Sequence, residues 1–298
     1  MNLNNLLEHY PPQTVQAGVR QLSYRSSGHT AGDHEGGKDA TQTTTKAAYE
    51  RTLILLHGIG TDSASWVQQL EAFSPACRVV AWDAPGYGTS SPLAGNSPTA
   101  AHYAEALLAL FDALHISKAL LLGQSLGALM ATAFAARHPE RIETLVLTGP
   151  ASGYGNATPV ERAERLDKRV KQMNEQGPHG IAAARGASML SEAASEDVRD
   201  FLGACQARLN PAGYIQAAHM LCGGVIAEDA TRYRAPVLVL SGAGDKLTPE
   251  AGCRAVAQAF PCGFYRSLPG LGHGGYVENA ALVNGILAAY LRLTLPQP

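Results

Sequence analysis

The sequence predicts an α/β protein with a mostly parallel sheet and helices on both faces. Three observations indicate this: short runs rich in Val, Leu and Ile, segments with helical spacing between most of them, and one G-x-S-x-G sequence where a run meets a helix. Strands buried on both faces read as continuous apolar runs, and helices connect them. The predicted strands are Thr52–Leu56, Val79–Asp83, Ala119–Gly123, Thr144–Thr148, Pro236–Ser241 and Phe264–Leu268.

Helices are predicted at Thr99–Leu114, Leu126–Ala135 and Ala281–Leu293, where apolar residues recur at helical spacing or dominate. Residues 26–46 are instead rich in Gly, Thr, Asp and Ser, which predicts a flexible surface insert between two early strands. The insert holds four residues of types that bind metals, and we interpret them as solvated because nothing fixes their geometry. They are His29, Asp33, His34 and Glu35.

A second interruption, between Gly149 and Arg234, has no strand-like run. We therefore predict an α/β core of residues 1–149 and 235–298, and an inserted all-helical domain of residues 150–234. In the first helix of this block, opposite charges at i,i+4 such as Glu161 and Arg165 predict a solvated outer face and no anion-binding patch. The predicted helices of the block are Val160–Gln176, Ile181–Ser191, Ser195–Leu209 and Pro211–Cys222.

Composition excludes several classes of protein. The chain has 23 Lys and Arg against 25 Asp and Glu, which gives a net charge of −2. It therefore lacks the excess of positive charge that is typical of proteins that bind nucleic acid or membrane surfaces. The longest apolar stretch, 119–136, is interrupted by Gly and polar residues, whereas a membrane span needs about 20 apolar residues. The five cysteines form no C-x-x-C pair, and no export signal is visible, so we expect a cytoplasmic protein. The expected partner is a small-molecule substrate, and the oligomeric state stays open.

The G-x-S-x-G sequence is Gly123-Gln124-Ser125-Leu126-Gly127. A serine on a strand-to-helix turn is held in strained backbone geometry with its hydroxyl exposed, and the glycines avoid clashes with neighbouring backbone. The amino terminus of the following helix favours developing negative charge. Ser125 is therefore the candidate nucleophile.

A serine nucleophile needs a base, and the base needs an orienting acid. His273 lies in a glycine-rich loop after the last predicted strand, and Asp245 lies just past the strand Pro236–Ser241. Asp83, which ends another strand, is the competing acid, and Asp245 has the alternative role of a helix cap. The loop around His273 also satisfies G-x-G-x-x-G, but too little chain follows for a dinucleotide-binding unit.

Acyl transfer also requires donors for an oxyanion, ideally two backbone N–H groups. Leu126 follows the serine and supplies one. Ile59 supplies the other, because His57-Gly58-Ile59-Gly60 follows the strand Thr52–Leu56 and its glycines permit a sharp turn. This chemistry requires no metal ion or organic cofactor.

These motifs resemble the α/β-hydrolase family over residues 51–149 and from 236 to the end. The matching stretches are HGIG at 57–60, DAPGYGTS at 83–90, GQSLG at 123–127, GAGD at 242–245 and GLGHGG at 270–275. The order Ser125, Asp245, His273 is that of the family. The resemblance implies an eight-stranded sheet, a nucleophilic serine and a helical cap after the sixth strand, at the place of residues 150–234.

Within the family, the stretch from Gly60-Thr61-Asp62 to Trp66 and Gln69 is similar to the 3-oxoadipate enol-lactonase group. This resemblance implies a serine hydrolase that cleaves a small ester or enol-lactone through an acyl-enzyme. Ala128, Ile59 and the insert depart from that pattern, so substrate identity is not transferred.

Several alternatives remain open. A C–C hydrolase of meta-ring-cleavage products uses a similar triad, but its usual H-G-x-G-P-G is missing because Thr61 and Asp62 follow Gly60. A cofactor-free haloperoxidase or perhydrolase shares the triad, whereas haloalkane dehalogenase chemistry needs a carboxylate in place of Ser125. A non-catalytic small-molecule receptor on the same fold is the alternative from another class.

Substrate contacts are expected from the helical block. Arg185 either clamps a substrate carboxylate or makes a salt bridge to the core. A set of aromatic, His and Met residues either lines an apolar pocket or packs in the core. The set is Tyr154, Met189, Tyr214, His219 and Met220.

Overall fold

The computed structural model describes residues 2–27 and 50–295, except for the side chains of Arg185 and Ala187. These residues form an eight-stranded sheet in the order β1-β2-β4-β3-β5-β6-β7-β8. The strands β1 and β2 pair antiparallel and β2 joins β4 antiparallel, whereas all other neighbours are parallel. The strands are β1 Gln13–Ala17, β2 Arg20–Ser27, β3 Thr52–Leu56, β4 Arg78–Trp82, β5 Ala119–Gln124, β6 Ile142–Thr148, β7 Val237–Gly242 and β8 Gly263–Leu268.

Helices cover both faces of the sheet, as predicted. Successive side chains of a strand point to opposite faces. In β3, Ile54 and Leu56 belong to one buried cluster and Leu53 and Leu55 to another. The described helices are α1 Leu3–Glu8, α2 Val67–Phe73, α3 Ala100–Ala113, α4 Leu126–Arg137, α5 Pro159–Met189, α6 Glu196–Ala207, α7 Pro211–Gly223, α8 Ile226–Ala230, α9 Glu250–Ala259, α10 Gly275–Glu278 and α11 Ala280–Leu291.

The two clusters explain why the parallel strands are apolar throughout. The first cluster includes residues of α3, α4 and α9, and the second includes residues of α2 and α11. Every residue of β3, β4, β5 and β7 is buried, so both faces of these strands exclude water. The predicted α/β class with a mostly parallel sheet is therefore confirmed.

Four helices, α5 to α8, lie between β6 and β7, and the described residues of this interval contain no strand. The two helices predicted at 160–176 and 181–191 form one longer element, α5, which breaks at Gly177. Gly177 has φ 63° and ψ −172°, and Pro178 follows it, so the helix cannot run straight through. The division into a core of 1–149 and 235–298 and a helical domain of 150–234 stays a prediction.

One predicted boundary is wrong. Ser26 and Ser27 are the last residues of β2 and pair with Val80 and Val79, so the insert predicted at 26–46 does not begin at residue 26. Sheet pairing outweighs the weak strand propensity of two serines. The rest of the insert, with His29, Asp33, His34 and Glu35, lies outside the described residues.

Within residues 2–27 and 50–295, no helix combines the length and apolarity needed to cross a bilayer.

Candidate active site

Ser125 lies on the turn between β5 and α4, where the backbone is strained. Its φ of 52° and ψ of −114° are rare for a residue with a side chain. A Cβ on Gly123 would approach the carbonyl oxygen of Gly127 to 2.6 Å, and one on Gly127 would approach that of Leu56 to 2.3 Å. Real Cβ atoms do not come this close, so both glycines are required for the turn that presents Ser125.

His273 and Asp245 form a buried pair in loops at the carboxyl ends of β8 and β7. Asp245 Oδ2 lies 2.7 Å from His273 Nδ1, and both side chains are almost fully buried. Asp245 Oδ1 accepts hydrogen bonds from the N–H groups of Leu247 and Thr248, both at 2.8 Å. The Thr248 hydroxyl donates to Oδ2 at 2.7 Å. Asp245 is therefore both the partner of His273 and a turn-capping residue.

This environment favours the ionised form of Asp245. Burial by itself raises the pKa of the carboxyl group, but hydrogen bonds from His273 and Thr248 and the nearby imidazole outweigh it. The net effect lowers the pKa of Asp245 below its ordinary value of 3.8. A carboxylate that stays ionised is suited to hold the imidazole of His273 with its proton on Nδ1.

The other ring nitrogen of His273 contacts Gln124. The Nε2 atoms of the two side chains lie 3.1 Å apart, and no hydrogen bond joins Ser125 to His273. Since Nδ1 donates to Asp245, the His273 Nε2 atom accepts from the Gln124 amide. Catalytic hydrogen bonds are often incomplete without substrate, so this contact is compatible with a base at His273. It does require Gln124 to release Nε2 before that atom takes a proton.

The loop after β3 lies directly against Ser125. A Cβ on Gly58 would be 3.0 Å from the Ser125 Cβ atom, so Gly58 brings the backbone close to the serine. Within the described part of the chain, the N–H groups of Ile59 and Leu126 have no hydrogen-bond acceptor. The Ile59 carbonyl accepts from the Tyr87 hydroxyl at 3.0 Å, which fixes the loop. The geometry thus leaves two backbone donors beside Ser125.

Two polar residues near these motifs are structural. Asp83, the competing acid, accepts from the Ser23 hydroxyl at 2.6 Å and the Ser63 N–H at 2.9 Å, away from His273. The His57 Nε2 atom accepts from the Ala84 N–H at 3.0 Å. Burial lowers the pKa of His57, so its neutral ring ties two loops together.

Ser125 and His273 open into one cavity of about 680 Å³, counting the space at its mouth that is open to solvent. Most of the lining beyond these two residues is apolar or neutral, and much of it comes from the helical block. The lining residues from the block include Tyr154, Arg169, Ile181, Met189, Gln206 and Tyr214.

Only some of the residues expected to contact substrate line this cavity. Tyr154, Met189 and Tyr214 line the cavity, whereas His219 and Met220 do not. His219 lies beside the Ser97 hydroxyl at 3.2 Å, and Met220 is buried in the first core cluster. Both face away because α7 turns only one side toward the cavity. The side chain of Arg185 lies outside the described residues.

Four residues of the site were missed by sequence reasoning: Gln124, Thr248, Gln206 and Arg169. Gln124 occupies an x position of G-x-S-x-G, where the motif specifies no residue type. The only signal for Thr248 is its place three residues after Asp245. Gln206 and Arg169 lie on helices whose orientation no local pattern specifies. Among the described residues, no group of His, Cys, Asp and Glu is arranged to hold a metal ion.

The lowered pKa of Asp245 predicts how stability depends on pH. Ionised Asp245 stabilises the fold above its unfolded pKa, and this contribution is lost as the pH falls through the folded pKa, below 3.8. We expect Asp245→Asn to lower the free energy of unfolding by about 2 kcal/mol at pH 5, and by less at pH 3. Urea unfolding of both proteins at the two pH values measures this. A difference that persists unchanged at pH 3 would contradict the predicted role of the charge.

Comparisons with known proteins agree with the fold. The family model of the alpha/beta hydrolase fold matches residues 51–280. A Caulobacter sp. (strain K31) protein named carbamate hydrolase RutD is 30% identical over 256 residues, which cover 80% of this chain and 91% of that protein. The chain therefore belongs to the α/β-hydrolase fold family, and it is a hydrolase.

Two further similarities are informative. The 2-hydroxy-6-oxononadienedioate/2-hydroxy-6-oxononatrienedioate hydrolase of Escherichia coli (strain K12) is 31% identical over 170 residues, 55% of this chain and 56% of that protein. The solved structure of the enol-lactonase from Burkholderia xenovorans LB400 is 25% identical in sequence and superposes with a TM-score of 0.77. The match covers 95% of this chain and 100% of the enol-lactonase chain. The relatives thus include both a lactonase and a hydrolase of a different substrate class.

Proposed function

We propose that this hydrolase cleaves a small carboxylic ester or enol-lactone through an acyl-enzyme on Ser125. One observation carries the proposal. Ser125, on a strained turn, and His273, 2.7 Å from the buried Asp245, line the same cavity. The likeness to the Burkholderia xenovorans enol-lactonase supports the same substrate class.

In the proposed first half-reaction, His273 Nε2 takes the Ser125 hydroxyl proton as Oγ bonds to the substrate carbonyl carbon. Gln124 first releases Nε2. The carbonyl oxygen becomes an oxyanion held by the N–H groups of Ile59 and Leu126. The imidazolium, stabilised by Asp245, then gives its proton to the leaving oxygen as the C–O bond breaks.

In the second half-reaction, water takes the place of the leaving group. His273 removes one proton from the water, and the resulting hydroxide attacks the acyl carbon. The tetrahedral intermediate collapses, the acid is released, and Ser125 recovers its proton from His273. Every proton is accounted for by these side chains and water, so the mechanism requires no metal ion or organic cofactor.

The second candidate is C–C cleavage of a vinylogous diketo acid, which the Escherichia coli relative favours. The arrangement of Ser125, His273 and Asp245 serves either reaction, so the substrate itself must discriminate them. No structural feature in the described residues favours a receptor without activity, and the presence of Ser125 and His273 in one cavity supports an enzyme.

A substrate panel tests the choice. We expect kcat/KM of at least about 10⁴ M⁻¹ s⁻¹ for the preferred ester or enol-lactone, a usual value for an enzyme on its own substrate class. The panel contains p-nitrophenyl esters of increasing acyl length, five- and six-membered lactones, and a 2-hydroxy-6-oxo-dienoic acid. A higher kcat/KM for the dienoic acid than for every ester and lactone would establish the second candidate instead.

We further propose that residues 150–234 act as a cap over the site and that the enzyme works in the reducing cytosol. The first part is supported by the many lining residues that α5, α6 and α7 contribute. The second is supported by the five cysteines, which are all unpaired. The proposed partner is the small-molecule substrate.

A further inference from the structure

The cavity beside Ser125 contains a positive charge that no carboxylate neutralises. Its described lining includes no Asp or Glu, and Arg169 is its one permanently charged residue. A cation in a mostly apolar cleft is unfavourable unless an anion pairs with it. An anionic ligand would therefore supply the negative charge that the described lining lacks.

The contacts of Arg169 leave its guanidinium available. Nη1 donates only to the Arg165 carbonyl, at 3.2 Å, and the buried Nε has no hydrogen-bond partner. The guanidinium carbon lies 5.6 Å from the centroid of the Tyr154 ring. No carboxylate in the described part of the chain lies within ion-pair distance of Arg169. Tyr154 thus lies against the guanidinium on one side, and the donors other than the one bound to the Arg165 carbonyl remain free.

A second guanidinium increases the local charge. Arg165, one helical turn earlier, lies 4.4 Å from the centroid of the same Tyr154 ring. The nearby Glu161 is engaged by Thr158, whose N–H and hydroxyl both donate to it at 2.9 Å. Two like charges on one ring repel each other, and an anion between them would relieve that repulsion.

The charge pattern of α5 predicts a solvated face without an anion-binding patch, and the i,i+4 residues Glu161, Arg165 and Lys168 are indeed exposed. That expectation concerns only the pairs of opposite charge on the exposed face. Arg169 belongs to none of those pairs, and it lies on the side of α5 that faces the cavity.

Tyr214 lines the cavity and is fully buried. Its hydroxyl group has no hydrogen-bond partner among the described residues, but the oxygen atom itself is not exposed to the cavity. The charge of Arg169 is therefore the feature of the lining that selects the ligand. A carboxylate satisfies a guanidinium, whereas an alkyl chain does not.

We propose that the substrate carries a free carboxylate bound by Arg169, and is thus a monoester or lactone of a dicarboxylic acid. The inference rests on the proposed function, because it places the reacting carbonyl at Ser125 and the carboxylate at Arg169. The planar guanidinium suits a bidentate pair with the carboxylate. Arg165, exposed beside the Tyr154 ring, adds a weaker and more screened attraction.

The test compares charged and neutral esters of equal length. The pairs are p-nitrophenyl hemisuccinate with p-nitrophenyl butyrate, and p-nitrophenyl hemiglutarate with p-nitrophenyl valerate. For Arg169→Met we expect kcat/KM to fall by about 10- to 100-fold on the charged member and by less than about 3-fold on the neutral one. Arg169→Lys should recover part of the loss. Lys168→Met, which removes the same charge from the exposed face, is the matched control and should alter neither ester by more than about 2-fold.

The possible outcomes test the carboxylate-binding role of Arg169 separately from the proposed ester hydrolysis. Equal losses of Arg169→Met on both esters, or a wild-type preference for the neutral ester, would overturn the carboxylate role while ester hydrolysis stands. If neither ester is hydrolysed, the proposed function fails, and glutarate binding to Ser125→Ala by calorimetry decides instead. Binding that Arg169→Met abolishes and Lys168→Met preserves would support the site, and no binding would overturn it.

Discussion

Replacing Ser125 with alanine is expected to lower kcat for ester hydrolysis by about 10⁶-fold, leaving only the acceleration that binding and the oxyanion donors supply. The loss is this large because no other described hydroxyl in the cavity shares the strained turn and the position beside His273. Initial rates with a p-nitrophenyl ester measure it. Circular dichroism and the Tm establish that the variant remains folded.

Ser125→Gly separates strain from chemistry. Glycine relieves the unfavourable backbone at φ 52°, so this variant should be as inactive as Ser125→Ala yet more stable by about 1 kcal/mol. Equal Tm values for the glycine and alanine variants would indicate that the turn stores little strain. Activity within about 10-fold of wild type in either variant would exclude Ser125 as the nucleophile.

Replacing Asp245 with asparagine is expected to lower kcat by about 10⁴-fold at pH 7 to 8. The carboxylate accepts the proton of His273 Nδ1, at 2.7 Å, and an amide group at the same place favours the other tautomer of the ring. His273 Nε2 would then carry a proton and no longer accept one from Ser125. The effect is measured with the same ester at saturating concentration.

Thr248→Val is the matched control for that variant. The Thr248 hydroxyl donates to the same Oδ2 atom at 2.7 Å, but the two backbone donors and His273 remain after its removal. We expect kcat to fall by less than about 10-fold, since one neutral hydrogen bond is lost. A loss in Asp245→Asn no greater than that in Thr248→Val would show that the carboxylate does not orient the base.

The parts of the fold that could be predicted are those with strong local causes. The strand β3 is an unbroken apolar run because both faces are buried, and the turn at Ser125 is marked by two glycines whose places no side chain could take. The strands β1 and β2 were not located from the sequence. β1 is the edge strand of the sheet and β2 is its neighbour, and both contain many polar residues and are partly exposed, so they carry no such run.

The lining of the cavity was less predictable than the reactive residues. Ser125, Asp245 and His273 follow strand ends, and parallel strands bring their carboxyl ends to one edge of the sheet. Arg169 and His219 instead sit on helices between β6 and β7. Whether such a residue faces the cavity depends on how each helix is rotated against the sheet, which is set by tertiary packing and has no local signature.

The central claim is that Ser125 forms a covalent bond to the acyl group, and a phosphonate probe tests it most directly. A p-nitrophenyl alkylphosphonate places a tetrahedral phosphorus on the nucleophile and releases p-nitrophenol. We expect the intact mass of the protein to rise by one phosphonyl group, activity to fall in proportion, and peptide mapping to place the group on Ser125. Full activity without a mass change, or inactivation with the group on another residue, would contradict the assignment.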